Sequence, residues 1–150
     1  MRNPRGSGKF EFLLVVALFG ILAAALLDRL VGIEQAAERT EVDLTLRNMR
    51  VGLQLAVGER LMRGQEHRLA ELVDTNPVGL LGRLPAGYRG EMAISAGPGT
   101  WNFDPASHTL VYRPRQPEVF GGRAELRWRI VAQAARDGRI QGIALESRVN

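Results

Sequence analysis

Glu11 is the residue whose type and place most suggest chemistry. It is an acid at the edge of a run, residues 12–27, that contains no other charged side chain, and it lies five positions after Gly6. A carboxylate at membrane depth costs up to about 3 kcal/mol on insertion scales, so an acid in such a place usually has a cationic partner. Other reactive side chains are sparse. The absence of cysteine excludes disulfides, thiol nucleophiles and thiolate zinc sites, and leaves the redox compartment open. His67 and His108 stand apart from any ligand spacing, so neither a metal nor another cofactor is expected. No serine or threonine comes with a His and acid set, and no carboxylate pair is placed as an acid and base would be. The run Gly6-Ser7-Gly8-Lys9 has part of a phosphate loop, but Phe10 takes the place of its Ser or Thr and Asn3 that of its first glycine. Catalysis is therefore not expected.

The element that must position Glu11 is the apolar run itself. With Phe10 it approaches the roughly 20 residues that cross a bilayer as a helix. Arg2, Arg5 and Lys9 precede it, whereas Asp28, Arg29 and Glu34 follow it, which favours a cytoplasmic N-terminus and an exported remainder. A buried globular helix would rarely be so uniformly apolar. A secretory signal peptide could be cut near Ala23-Ala24-Ala25, but a segment serving only for targeting has no use for Glu11. A membrane helix whose acid awaits a partner accounts for both features. In 150 residues, one small domain fits beyond such a helix. The net charge of +4 is not gathered in a block. Arg113, Arg115, Arg123, Arg127 and Arg129 alternate with apolar residues or lie in loops, where pairing with acids or a solvated sheet face is the expectation, and nucleic acid is not an expected partner.

The run Gly6-Ser7-Gly8-Lys9-Phe10-Glu11-Phe12-Leu13-Leu14-Val15-Val16-Ala17-Leu18-Phe19-Gly20-Ile21-Leu22-Ala23-Ala24 resembles the N-terminal cleavage and methylation signature of type IV prepilins and type II secretion pseudopilins. The resemblance implies a short basic leader removed between Gly6 and Ser7, N-methylation at Ser7, and Glu11 as the fifth mature residue, offered to the N-terminal ammonium of a neighbouring subunit. Gly20 is the position where the helix could loosen on assembly. Asp28 stands where many members have proline, and Ser7 where phenylalanine is commoner. Implied partners are other pilin or pseudopilin subunits in a homo- or hetero-oligomeric filament, the prepilin peptidase and N-methyltransferase, and an inner-membrane platform protein. The implied location is the bacterial inner membrane, single-pass, with a periplasmic head that joins a periplasmic or extracellular filament. No acidic cluster follows Asp137 to resemble the calcium loop of major pseudopilins, which favours a pilin or minor pilin. Two other readings stay open: a plainly anchored or secreted β-domain that binds a partner, and a DNA-uptake pilin whose arginines meet phosphates.

Beyond the membrane the helical period continues. Leu30, Ile33, Ala37, Leu44, Val51, Leu55 and Met62 form one stripe; Val42, Leu46, Met49, Leu53, Val57 and Leu61 form a second that starts only in the distal half. One helix over about 10–63 is expected, stopped near Gly64. Short helices are expected around 66–73 and after Asn76-Pro77. From Gly90 the period approaches two, with Met92 and Ile94, Trp101 and Phe103, Leu110 and Tyr112, and Leu126, Trp128 and Ile130 sharing faces. Hairpin connections are expected at 104–107 and at Asp137-Gly138, a bulge at Gly142, and a loop over 114–122. The expected fold is α+β and pilin-like: a long N-terminal helix, transmembrane in its first half, packed on about four or five largely antiparallel strands. Its parts are a leader (1–6), a membrane and assembly half-helix (7–31) and a head (32–150).

Overall fold

The computed structural model describes residues 7–92, 97–134 and 140–148. The chain is one long helix followed by a five-stranded sheet, an α+β fold, and it divides into two units between Ala37 and Glu38. Helix α1 spans Ser7–Met62 without a break, so neither Gly20 nor Asp28 interrupts it.

In the first unit α1 stands alone. Phe10, Phe12, Leu13, Leu18, Phe19 and Leu26 are all more than half exposed, and none of its most apolar window is buried. Within α1 the absence of proline and the abundance of Leu and Ala favour the helix. In lipid a helix would also satisfy every backbone polar group internally. This is a helix long and apolar enough to cross a membrane.

In the second unit the distal half of α1 is a core element. Val42, Leu46, Met49 and Leu53 recur at helical spacing and are buried. The opposite stripe remains exposed, including Leu44, Val51, Leu55 and Met62. The helix stops in a Schellman motif: Gly64 takes φ 65°, its N–H reaches the Leu61 carbonyl at 3.0 Å, and the Gln65 N–H reaches that of Arg60 at 2.8 Å. The expected connectors form as 3₁₀ turns, Glu66–Leu72 and Pro77–Leu80. Asn76 caps the second, its Oδ1 accepting from the Val78 N–H at 3.1 Å, with Pro77 in the first turn.

The strands are β1 (Tyr88–Glu91), β2 (Thr100–Asp104), β3 (Thr109–Arg113), β4 (Leu126–Ala134) and β5 (Ile140–Arg148), arranged in chain order. β1 runs parallel to β2, and the other pairs are antiparallel. The inner face carries Trp101, Phe103, Leu110, Tyr112, Leu126, Trp128, Ile130 and Leu145, which join the helix stripe in one core. Trp101 stacks between Tyr112 and Trp128, with ring centroids 4.5 and 5.6 Å away. The register of β4 on β5 shifts between Gln133 and Ala134, whose partners are Gly142 and Ile140, so the bulge sits beside Gly142 as expected. Ile94, Asp137 and Gly138 lie outside the described residues.

Two-residue alternation understates the burial of β2 and β3, where Thr100, Asn102, Thr109 and Val111 on the outer face are also buried. The parallel β1–β2 connection explains part of this. The Asn102 Nδ2 donates to the Met92 carbonyl at 2.9 Å and the Thr100 hydroxyl to that of Gly97 at 2.6 Å, so both ends of the connection are pinned to the outer side of β2. At the β2–β3 turn Asp104 accepts from the Ala106 N–H at 3.0 Å and the Ser107 hydroxyl at 2.5 Å. The Ser107 bond, foremost, holds its carboxyl below the usual range.

Gly52 marks a close approach of α1 to the connector, since a Cβ there would run into the Leu80 carbonyl oxygen and backbone. Gly58, six residues on in the same helix, faces open space. Gly52→Ala is expected to lower unfolding stability by about 1–3 kcal/mol through overpacking. Gly58→Ala should raise it by about 0.5–1 kcal/mol through helix propensity. Urea unfolding of the detergent-solubilised full chain, followed by tryptophan fluorescence, compares the two directly.

Candidate functional site

The assembly residues expected from the sequence fall in the first unit. Gly6 lies outside the described residues, and Ser7 is the first residue of α1. Glu11 is exposed, one turn into the helix, amid exposed Phe10, Phe12, Leu14 and Val15. It takes part in none of the ion pairs among the described residues. Gly20 lies inside the helix with nothing near the position of a Cβ. Glu11 is thus the one acid between Ser7 and Leu27, on an uncovered apolar stretch of the helix.

A second carboxylate, which the sequence reading did not single out, sits where the head begins. Glu38 is only 4% exposed. Its Oε1 accepts from the Tyr112 hydroxyl at 2.9 Å and from the Arg115 N–H at 2.6 Å, and its Oε2 accepts from the Gln116 N–H at 3.2 Å. Two backbone donors and a phenol replace the water that burial removes, which is how a carboxylate can be kept inside. A signal for it existed: Glu38 precedes Val42 by one helical turn and so continues the buried stripe Val42, Leu46, Met49, Leu53. An acid in register with a core stripe demands a partner. Burial first, and then the bond to Glu38, push the Tyr112 hydroxyl well above its ordinary pKa.

A third polar station fixes the sheet to the connector. Asp74, in a left-handed backbone conformation at φ 66°, accepts from Arg129 Nε and Nη2, each at 2.7 Å. Its carbonyl faces His108 Nδ1 at 3.0 Å. The expected pairing of arginines with acids therefore applies to Arg129, and to Arg127, which meets Glu125 at 2.8 Å. Arg115 turns the other way, its side chain filling the space beside Gly99. Arg113 and Arg123 converge with Arg127 on one cleft. Among the described residues no group of His, Cys, Asp or Glu is arranged to hold a metal ion.

Glu38→Ala would leave three donors unpartnered and is expected to cost about 2–4 kcal/mol, against about 1–2 kcal/mol for Tyr112→Phe, which removes one donor and leaves the carboxylate held by two. The pH dependence follows from the raised Tyr112 pKa. The folded chain keeps this proton longer than the unfolded chain, whose tyrosine titrates near pH ~10. The resulting stability is therefore full below pH ~10 and declines above it, by up to about 1.4 kcal/mol per pH unit. Urea titrations between pH 8 and about 11 should show this decline in the parent chain and a weaker one in Tyr112→Phe.

No family model, curated protein or solved structure matches the chain. Its architecture is nevertheless pilin-like: an N-terminal helix able to cross a membrane, whose distal half packs on a five-stranded, mostly antiparallel sheet.

Proposed function

We propose that this chain is a non-enzymatic structural subunit, made as a prepilin, cut between Gly6 and Ser7 and assembled through α1 into a type IV pilus or a type II secretion pseudopilus. The observation that carries the proposal is Glu11, the one acid between Ser7 and Leu27, on the stretch of α1 whose most apolar window is wholly unburied. Cleavage after Gly6 would create an ammonium at Ser7. Inside a dry bundle of such helices, that charge and the Glu11 carboxylate of a neighbour would neutralise each other, and neither would be tolerable alone. The pairing would reward one axial register, because a subunit displaced along the bundle would bury both charges unpaired. N-methylation would keep the positive charge.

The exposed stripe Leu44, Val51, Leu55 and Met62 also supports assembly, because it extends the apolar face of the membrane half into the head at the same helical phase. Exposed apolar surface this continuous suits packing against other helices better than contact with water. The helix would wait in the inner membrane after processing, with the head outside, until a platform protein passes it to the growing filament.

Mass spectrometry of the N-terminus of protein from the native host is expected to give a chain that begins at Ser7 and carries one added methyl group. A chain beginning near Leu26, or an uncut one, would overturn the proposal. Glu11→Ala should insert in the membrane as well as the parent chain, and indeed slightly more favourably, yet lose most of its incorporation into sheared filaments, read by immunoblot of membrane and filament fractions. Equal incorporation would rule out the charge-pairing mechanism.

A further inference from the structure

The outer face of the sheet holds a cationic cleft that neither the fold nor filament assembly explains. Arg127 of β4 is paired directly across from Arg148 of β5, and like charges facing each other on one side of a strand pair are destabilising. The next pair along the same face, Arg129 and Glu146, is of opposite sign, and Arg129 is further neutralised by Asp74. Among the described residues no such compensation reaches Arg148. Arg113 flanks Arg127 on the same face, two residues beyond Val111, which pairs with Arg127. The turn at Gly121 and Gly122, with φ 71° and 78°, brings the chain round so that Arg123 closes the rim. The result is a cleft of about 400 Å³ lined by four arginines, Ser147 and a single acid, Glu125. Glu125 is engaged by Arg127, and among the described residues Arg113, Arg123 and Arg148 form no ion pair.

We infer that this cleft binds the phosphodiester backbone of nucleic acid. Planar guanidiniums match phosphate oxygens in fork geometry and remain charged at every relevant pH. Three strands about 4.8 Å apart spread the cations over a line suited to successive phosphates and not to one ion alone. Among the described residues, none of the large exposed apolar side chains borders the cleft; they lie on α1 and at Leu84. A site that docked on a bilayer would pair its charges with apolar residues to insert, so the bare cationic cleft favours a dissolved polyanion over a membrane. No aromatic ring lines it, so base stacking is not offered and binding should be indifferent to sequence. The cleft opens on the side of the sheet away from α1, and it would stay accessible in a helix-cored filament. The inference does not require the filament.

The test uses the full chain in neutral phosphatidylcholine nanodiscs and fluorescence anisotropy of labelled 30-mer duplex and single-stranded DNA of two unrelated sequences. Binding should be equal for the two sequences, and log affinity should fall with log salt at a slope of roughly −2.7 for duplex and −2.1 for single strand, as three phosphate contacts require. The triple variant Arg113→Gln, Arg123→Gln, Arg148→Gln should lose about tenfold or more at 100 mM salt and flatten the slope. A control of equal charge, Arg39→Gln, Arg47→Gln, Arg83→Gln, should change affinity less than about twofold. Glu125→Gln, which removes the acid among the described lining residues, should tighten binding. Equal losses in the two triple variants would reduce the effect to net charge and overturn the inference, as would no loss in either. Abolition of DNA binding by anionic lipid in the disc, or by millimolar inorganic phosphate at constant ionic strength, would assign the cleft to a lipid headgroup or a single phosphate and overturn it too. None of these outcomes bears on cleavage after Gly6.

Discussion

The buried Glu38 carboxylate is the constraint on which the head depends. A charge taken out of water must be met by donors with good geometry, and here the donors come from three separate positions: the phenol of Tyr112 at the end of β3, and the N–H groups of Arg115 and Gln116 just beyond it. Satisfying one side chain thus fixes the axial position of α1 against the sheet and the exit path of the chain from β3. Apolar packing alone would not do so. The stripe Val42, Leu46, Met49 and Leu53 can slide along an apolar surface at modest cost, whereas a misplaced carboxylate loses all its partners at once.

That anchoring propagates outward. Tyr112 carries the phenol and also stacks on Trp101, which in turn meets Trp128, so the polar contact and the aromatic core hold each other in place. Gly52 lets α1 approach the Pro77–Leu80 turn until backbone meets backbone. Asp74, at the end of the preceding connector, ties the same region to Arg129 of β4. The connector is therefore held on two sides, by helix and by sheet, although it contains only 3₁₀ turns and no regular element of its own.

The two halves of α1 use their apolar residues in different ways. Up to Ala37 the apolar residues surround the helix and nothing in their unit covers them. From Glu38 onward one stripe is spent on the core and another stays free. A helix that is apolar all round belongs in lipid or among other helices, and this gives the first half a use outside the monomer. The second half is amphipathic towards its own sheet, and its buried stripe stabilises the head.

Much of this was determined by sequence. The apolar run, the acid in it, the onset of the second stripe, the Gly64 stop, the Asn76-Pro77 cap and the hairpin at Asp104 all rest on local physics: period, capping and turn chemistry act over a few residues and can be read directly. The inner-face assignments of Trp101, Trp128 and Ile130 rest on alternation and hold for the same reason. What only the tertiary structure decided depends on residues distant in the chain. Alternation could not show that the outer face of β2 and β3 is covered, because the connection that pins it returns parallel. Glu38 was visible as an acid in register with a buried stripe, but its partners lie 74 to 78 positions away. The arginines looked evenly dispersed along the sequence. Strand pairing and a glycine turn gathered Arg113, Arg123, Arg127 and Arg148 into one cleft while sending Arg115 and Arg129 elsewhere, because spacing along a chain sets which face a side chain takes and only the register of neighbouring strands sets what stands beside it.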